Sequence, residues 1–233
     1  MERLAPTDLD ALRKLDTPTV CNALEVVAPE RRGFGYTSKM FFCPRPTLEP
    51  IVGFARTATI TSMQPPASSP DEQTETRIKY YEYIGDGGPE PSIAVIEDID
   101  PIAGYGAWWG EVNTTIHQGL GCLGVVTNGS VRDLDDSAQG FQLLAGTTNP
   151  SHAWVRVVDY GVTVNVHGMT VVSGDLIHAD RHGAVVVPLD VARHIPEAAA
   201  DIAAKEAVLI GAARAPGFSA ARLRKLMGAD PGH

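Results

Sequence analysis

The apolar positions change period several times along the chain, and each change marks an element. Residues 15–27 (LDTPTVCNALEVV) place Val20, Ala23, Leu24 and Val27 on one helical face, with Thr17 as the expected N-cap and Pro18 in the first turn. Residues 51–61 (IVGFARTATIT) are β-branched and alternate in character, so they read as a strand. A Pro/Ser loop at 63–72 leads into a helical pattern over 71–85, acidic at its start and stopped by Gly85 and Gly87. Residues 91–100 (PSIAVIEDID) are a short buried strand ending in acids. Residues 108–121 (WWGEVNTTIHQGLG) read as a helix closed by Gly119 and Gly121, and 122–128 (CLGVVTN) as the next strand.

From 154 to 188 the chain is strand-rich, with short β-branched runs separated by glycine-containing turns. From Leu189 to Met227 it is helical, broken at Pro216-Gly217 and resumed in SAARLRKLM. Strand and helix alternate in the first half, which indicates an α/β arrangement. No internal repeat and no long linker divides the chain. The expectation is a single α/β domain with mixed sheets and flanking helices, its core over about 16–190 and its C-terminal helices over 190–228.

Composition narrows the function classes. With 233 residues, 44% of them hydrophobic, the chain is long enough for one substantial core. The net charge of -9 and the absence of a Lys/Arg-rich run, apart from ARLRKLM, argue against a nucleic-acid binder. Cys21, Cys43 and Cys122 are odd in number and far apart, with no CxxC. That argues against a disulfide framework and a structural zinc site and points to reduced, cytoplasmic thiols. Residues 1–15 lack the apolar core of a signal peptide, and no stretch reaches the roughly 18 apolar residues of a membrane span.

The chemistry concentrates around GVVTNGSVRD (124–133). A strand there gives way through Asn128-Gly129 to Arg132 and Asp133, and the turn Gly129-Ser130-Val131 is expected to carry both into a crevice. In open α/β folds, ligands settle at strand ends. Upstream, Gly110 precedes a helix start at Glu111. The amides around Glu111, Val112 and Asn113 could cradle an anion, because a helix N-terminus offers unpaired N–H groups and partial positive charge. Arg132 offers a planar fork for a carboxylate or carbonyl oxygen, and Asp133 a hard oxygen ligand of the kind Mg²⁺ accepts. Taken alone, Arg132-Asp133 also fits a solvated turn.

Glu111, twenty residues, then Arg132-Asp133 is a more specific pattern. It resembles the core motif of the RraA-like family, which includes 4-hydroxy-4-methyl-2-oxoglutarate aldolases and regulators of ribonuclease E activity. LDTPTVCNAL, IVGFARTATI, WWGEVNTTIHQGLGCLGVVTNGSVRD and VTVNVHGMTVVSGDLIHADRHGAVVVP each resemble a family segment. The resemblance implies a layered β/β/α domain of swivelling type, assembled as a homotrimer or homohexamer. It implies a keto-acid lyase in which Asp133 binds Mg²⁺ or Mn²⁺ and Arg132 binds the keto acid and steadies developing charge. Glu111 would lie near the metal, and the backbone of Gly110, Val112 and Asn113 would hold the substrate carboxylate. The reactions implied are cleavage of a 4-hydroxy-2-oxo acid to pyruvate and decarboxylation of oxaloacetate. The alternatives are a regulator that binds RNase E without catalysis, and a lyase for a different keto or hydroxy acid.

The chain departs from the family pattern at Asn113, whose side chain adds a polar group near the pocket; at Asn128, where the family commonly has Asp; and over 63–91, which is longer and richer in proline. His117 is read as a packing or surface histidine. His152, His167, His178 and His182 are scattered without a ligand motif. Asp175 and Asp180 read as turn-shaping, Cys122 as core, Trp108 and Trp109 as packing or a pocket wall, and Glu206 as a solvated helix acid.

Overall fold

The computed structural model describes residues 4–86 and 88–228. The elements run α1 (Pro6–Arg13), α2 (Thr17–Val27), β1 (Ile51–Thr61), α3 (Pro70–Asp86), β2 (Ser92–Asp98), β3 (Ala107–Trp109), α4 (Glu111–Gly119), β4 (Cys122–Thr127) and β5 (Ser130–Val131). They continue with β6 (Gln142–Leu144), β7 (Thr147–Thr148), β8 (Arg156–Tyr160), β9 (Val164–Val166), β10 (Met169–Val171), β11 (Leu176–Asp180), β12 (Gly183–Val187), α5 (Ile195–Arg214) and α6 (Ala220–Met227).

The main sheet is mixed, in the order β12-β11-β1-β2-β4-β6, with β8 also on β1. β1 is its spine. One edge pairs antiparallel first with β11 (Ile51–Phe54) and then with β8 (Ala58–Thr61), while the other pairs parallel with β2 from Phe54 to Ile60. β2, β4 and β6 continue in parallel.

Both faces of the sheet are covered, which explains why β1 is buried along most of its length rather than on alternate residues. Val52 and Phe54 pack against α1, α2 and α5; Ala58 and Ile60, on the same face, pack under α3 with Tyr80 and Ile84 and against Trp109 of β3. On the opposite face, Ala55, Ile93, Val95 and Val126 meet the β9–β10 hairpin through Val164, Val166, Met169 and Val171. Helices, sheet and hairpin form the layered α/β architecture expected from the sequence.

The structure corrects three local expectations. Asp16, not Thr17, caps α2, accepting from the Thr19 amide at 2.9 Å. Thr17 instead donates its amide to Asp180 at 3.0 Å, and its hydroxyl meets His178 Nδ1 at 3.0 Å. Both of the partners that recruit it come from β11, far away in sequence. Trp108 and Trp109 belong to strand β3, and the helix begins only at Glu111. Ser130-Val131 is not part of a turn but the middle strand of a second, parallel sheet, β3-β5-β7.

His178 has a partner at both ring nitrogens. Its Nε2 lies 3.2 and 3.0 Å from the carbonyls of Leu12 and Leu15, which can only accept, so Nε2 carries the proton and Nδ1 accepts from Thr17. His178 and Asp180 thereby pin α1 and α2 to the sheet, in line with a structural part for Asp180.

Candidate active site

The second sheet decides where the chemistry meets. Ala107 pairs with Ser130 and Trp109 with Val131, and the ladder runs one step further, with the Arg132 amide donating to the Trp109 carbonyl at 2.8 Å. Because the two strands are parallel, both end at the same side. β3 delivers Gly110 and the start of α4 there, and β5 delivers Arg132 and Asp133.

Asn128 makes the switch between sheets possible. Its side-chain carbonyl accepts from the Asp98 amide at 2.7 Å, and its side-chain amide donates to the Asp98 carbonyl at 2.9 Å. A carboxylate at 128 could accept the first bond but not donate the second. It would also stand beside the buried Asp98 carboxyl, whose pKa burial already raises against the lowering pull of the Gly104 and Asp100 amides. The Asn-for-Asp departure therefore suits the neighbourhood of this chain.

At the meeting point the packing is close. Asp133 adopts the left-handed conformation, φ 50°, which sends its carboxylate back over Gly110. A Cβ on Gly110 would lie 2.5 Å from Asp133 Oδ2 and 3.2 Å from Arg132 Cγ. Asp133 Oδ2 faces the Glu111 amide at 3.4 Å and Arg132 Nε at 3.4 Å, both long contacts. The Asp133 carbonyl accepts from Asp136 and Ser137, closing the turn behind it. The side chains of Arg132 and Asp133 are 30% and 35% exposed, Glu111 is exposed and Val112 is 69% exposed, so the site opens to solvent.

The first turn of α4 supplies donors. Thr114 is the first residue of this helix whose amide bonds back within it, to Gly110. The amides of Val112 and Asn113 have no acceptor among the described residues, as expected at N2 and N3 of a helix whose cap residue is a glycine. Thr114 locks this turn in place. Its hydroxyl lies 2.8 Å from the Gly110 carbonyl and accepts from the Ala138 amide at 2.9 Å, tying the helix start to the chain beyond Asp133.

The Asn113 side chain corrects the sequence expectation. It turns away from the opening, donating to the Trp108 carbonyl and accepting from the Tyr81 hydroxyl, each at 2.6 Å. Only its backbone amide is available to a ligand. His117 is buried beneath the same helix, as a packing histidine. Its Nδ1 lies 2.6 Å from the Asn113 carbonyl and so carries the proton, leaving Nε2 to accept from the Tyr80 hydroxyl at 2.8 Å. Burial holds its pKa down at about 4, so it stays neutral. Trp109 is fully buried beside it, ring centroids 4.6 Å apart, and Cys122 lies in the same cluster.

Sequence patterning missed His152. Partial burial and the charge of Arg132 lower its pKa, while the charge of Asp133 works the other way, which places the ring within electrostatic reach of both. No spacing signal could find it, because it comes from the loop after β7. Glu206 lies exposed on α5.

Among the described residues, no group of three or more His, Cys, Asp or Glu side chains forms a metal cage. The donor set present, one half-exposed carboxylate with a second acid on the adjacent helix turn, suits a hard cation. Such a cation keeps most of its water and takes one or two protein carboxylates.

Comparison with known proteins follows the same lines. A family model described as RraA-like, Aldolase/RraA, matches residues 17–186. No protein with a curated description matches the chain. Among solved structures, an uncharacterized protein from Pseudomonas syringae pv. tomato str. DC3000 superposes with a TM-score of 0.71 at 24% identity, covering 96% of this chain and 95% of that one. Streptomyces coelicolor RraAS2, described as an unusual member of the RNase ES inhibitor RraA protein family, gives 0.66 at 23% identity over 88% and 96%. The RNA-processing inhibitor RraA from Thermus thermophilis gives 0.51 at 18% identity over 71% and 90%. At these identities the likeness is one of fold.

Proposed function

Since the chain belongs to the RraA-like, Aldolase/RraA family, we propose that it is a divalent-metal-dependent lyase. It would cleave a 4-hydroxy-2-oxo acid to pyruvate and decarboxylate oxaloacetate. One observation carries this reading above the others: β3 and β5 end side by side, bringing a glycine-capped helix start, an arginine and a carboxylate to one open point.

Each residue then has a task. The free amides of Val112 and Asn113 take the substrate's 1-carboxylate at the positive end of α4. Gly110 leaves room for the Asp133 carboxylate beside the helix start, since a Cβ there would occupy its space. Asp133, with Glu111 nearby, would hold Mg²⁺ or Mn²⁺. When bound, the cation supplies Lewis-acid polarisation of the 2-oxo group. Arg132 directs a fixed positive charge at the same oxygen, where negative charge develops as the C–C bond breaks. In the retro-aldol cleavage, a water held by Glu111 would receive the proton of the 4-hydroxyl as the C–C bond breaks. No lysine lies in this constellation, which sets it apart from Schiff-base aldolases.

The test is pyruvate release from oxaloacetate and from 4-hydroxy-4-methyl-2-oxoglutarate, with Mg²⁺, Mn²⁺ or EDTA, for wild type and Asp133→Ala. The expected result is release that needs metal and is lost in the variant. Release that survives both EDTA and the substitution would overturn the assignment. No release from either substrate would turn attention to another keto acid, or to a binding role like that of the relatives described as RNase inhibitors.

A further inference from the structure

Beside the candidate site lies a cleft of about 820 Å³ between α3, β8 and the proline-rich loop before α3. Ligand sites for organic molecules run from roughly 300 to 1,000 Å³. This one is therefore far larger than pyruvate requires. We propose that the cleft is the subsite for the remote end of the substrate, and that it selects a long-chain acid whose far end carries a second carboxylate. The inference rests on the lyase reading for the word substrate, but the binding it describes can be tested apart from catalysis.

Charge is the first argument. The chain as a whole carries -9, yet among the described residues the only charged side chains lining the cleft are Arg77 and Arg156. The acids at the start of α3 are directed elsewhere: Glu72 is engaged in the Ser69 cap, Glu75 pairs with Lys79 at 3.3 Å, and both line a separate depression with Asp71. Arg156 Nη1 donates to the carbonyls of Gln64 at 2.6 Å and Trp154 at 3.1 Å, which fixes the guanidinium but leaves its charge unneutralised. Arg77 has no hydrogen-bond or ion-pair partner among the described residues. A guanidinium presents a planar fork suited to a carboxylate.

Continuity with the site is the second. Trp108 lines the cleft, and two residues further along the same chain Gly110 opens the site; two residues of extended chain span about 7 Å. The loop after β7 makes the same passage, from His152, which feels Arg132 and Asp133, to Trp154 in the cleft wall. A third link runs through α3. Tyr81 lies one turn beyond Arg77, and its hydroxyl bonds the side chain of Asn113, whose amide faces the site. Trp154, 56% exposed, offers a flat apolar face to a methylene chain lying between the two.

The experiment uses the full-length protein and follows tryptophan fluorescence and calorimetry. The ligands are unreactive straight-chain dicarboxylates, from succinate to suberate, and monocarboxylates of matching length. The proteins are wild type, Arg77→Ala, Arg77→Glu and Trp154→Ala. Arg77 and Trp154 are both exposed, so the variants retain the fold, as circular dichroism will verify. The expected result is that affinity rises with dicarboxylate length and exceeds that for monocarboxylates at least tenfold. Arg77→Ala should remove that preference and Arg77→Glu reverse it. Equal binding of the two ligand series, or an Arg77→Glu protein that matches wild type, would overturn the subsite. So would a cleft covered by a second copy, read as Trp154 shielded from a soluble quencher in the ligand-free assembly. If the dicarboxylate preference holds while neither oxaloacetate nor 4-hydroxy-4-methyl-2-oxoglutarate gives metal-dependent pyruvate release, the subsite stands and the proposed reaction on those two substrates falls.

Discussion

His117 lies on α4 beneath the candidate site, and the fold opposes its protonation. Burial lowers its pKa from 6.5 to about 4, with only the Asn113 carbonyl pulling the other way. In the unfolded chain it titrates near its ordinary value. Between pH 6.5 and 4 the unfolded state therefore binds more protons than the folded state, so stability falls as pH falls through that window and is fully present above it. The gap of about 2.5 pH units corresponds to about 3 kcal/mol, of which roughly 1 kcal/mol is lost by pH 5.5 and nearly all by pH 4. His178 and His167 are shifted in the same direction and add to the slope, so the measurement must isolate His117. Urea unfolding of wild type and His117→Gln at pH 7.5, 6.5, 5.5 and 4.5 does this. The variant is less stable at neutral pH, because it loses the match to Tyr80 and Asn113. Its stability falls less steeply on acidification, so the two curves converge. Parallel curves, or a ring-proton titration of His117 near pH 6.5, would refute the reasoning.

Two further outcomes follow from the geometry. Gly110→Ala should leave the circular dichroism spectrum intact, since φ -159° is open to any residue, yet push the Asp133 carboxylate aside by roughly 1 Å. A displacement of that size costs on the order of 100-fold in turnover, and full pyruvate release by the variant would count against a role for Asp133. Thr114→Val keeps the shape but leaves the Ala138 amide without its acceptor, a loss of about 1–3 kcal/mol. Differential scanning calorimetry should show Tm lower by roughly 2–10 °C for a chain of this size; an unchanged Tm would mean that the Thr114 clamp contributes nothing.

The sequence by itself determined most of the elements. The β-branched run at 51–61 became β1 at its expected bounds, and Pro216-Gly217 separates α5 from α6 as its backbone chemistry requires, whereas α3 runs through Gly85 to Asp86. It also marked Gly110, Glu111, Arg132 and Asp133, because spacing within one stretch of chain is visible in a linear text. Other features depended on neighbours distant in sequence, to which periodicity is blind. Ser130-Val131 is a strand only because β3 and β7 lie on either side, and two residues are too few to show any period. Asp16 caps α2 because β11 claims Thr17. The Asn113 side chain turns inward because Tyr81, 32 residues earlier, reaches it. His152 and the cleft beside Trp108 arise from a loop and a helix that only the packed sheet brings together. Local patterning fixes what a segment becomes. Which of its polar atoms remain free for chemistry is settled by the partners that tertiary packing supplies.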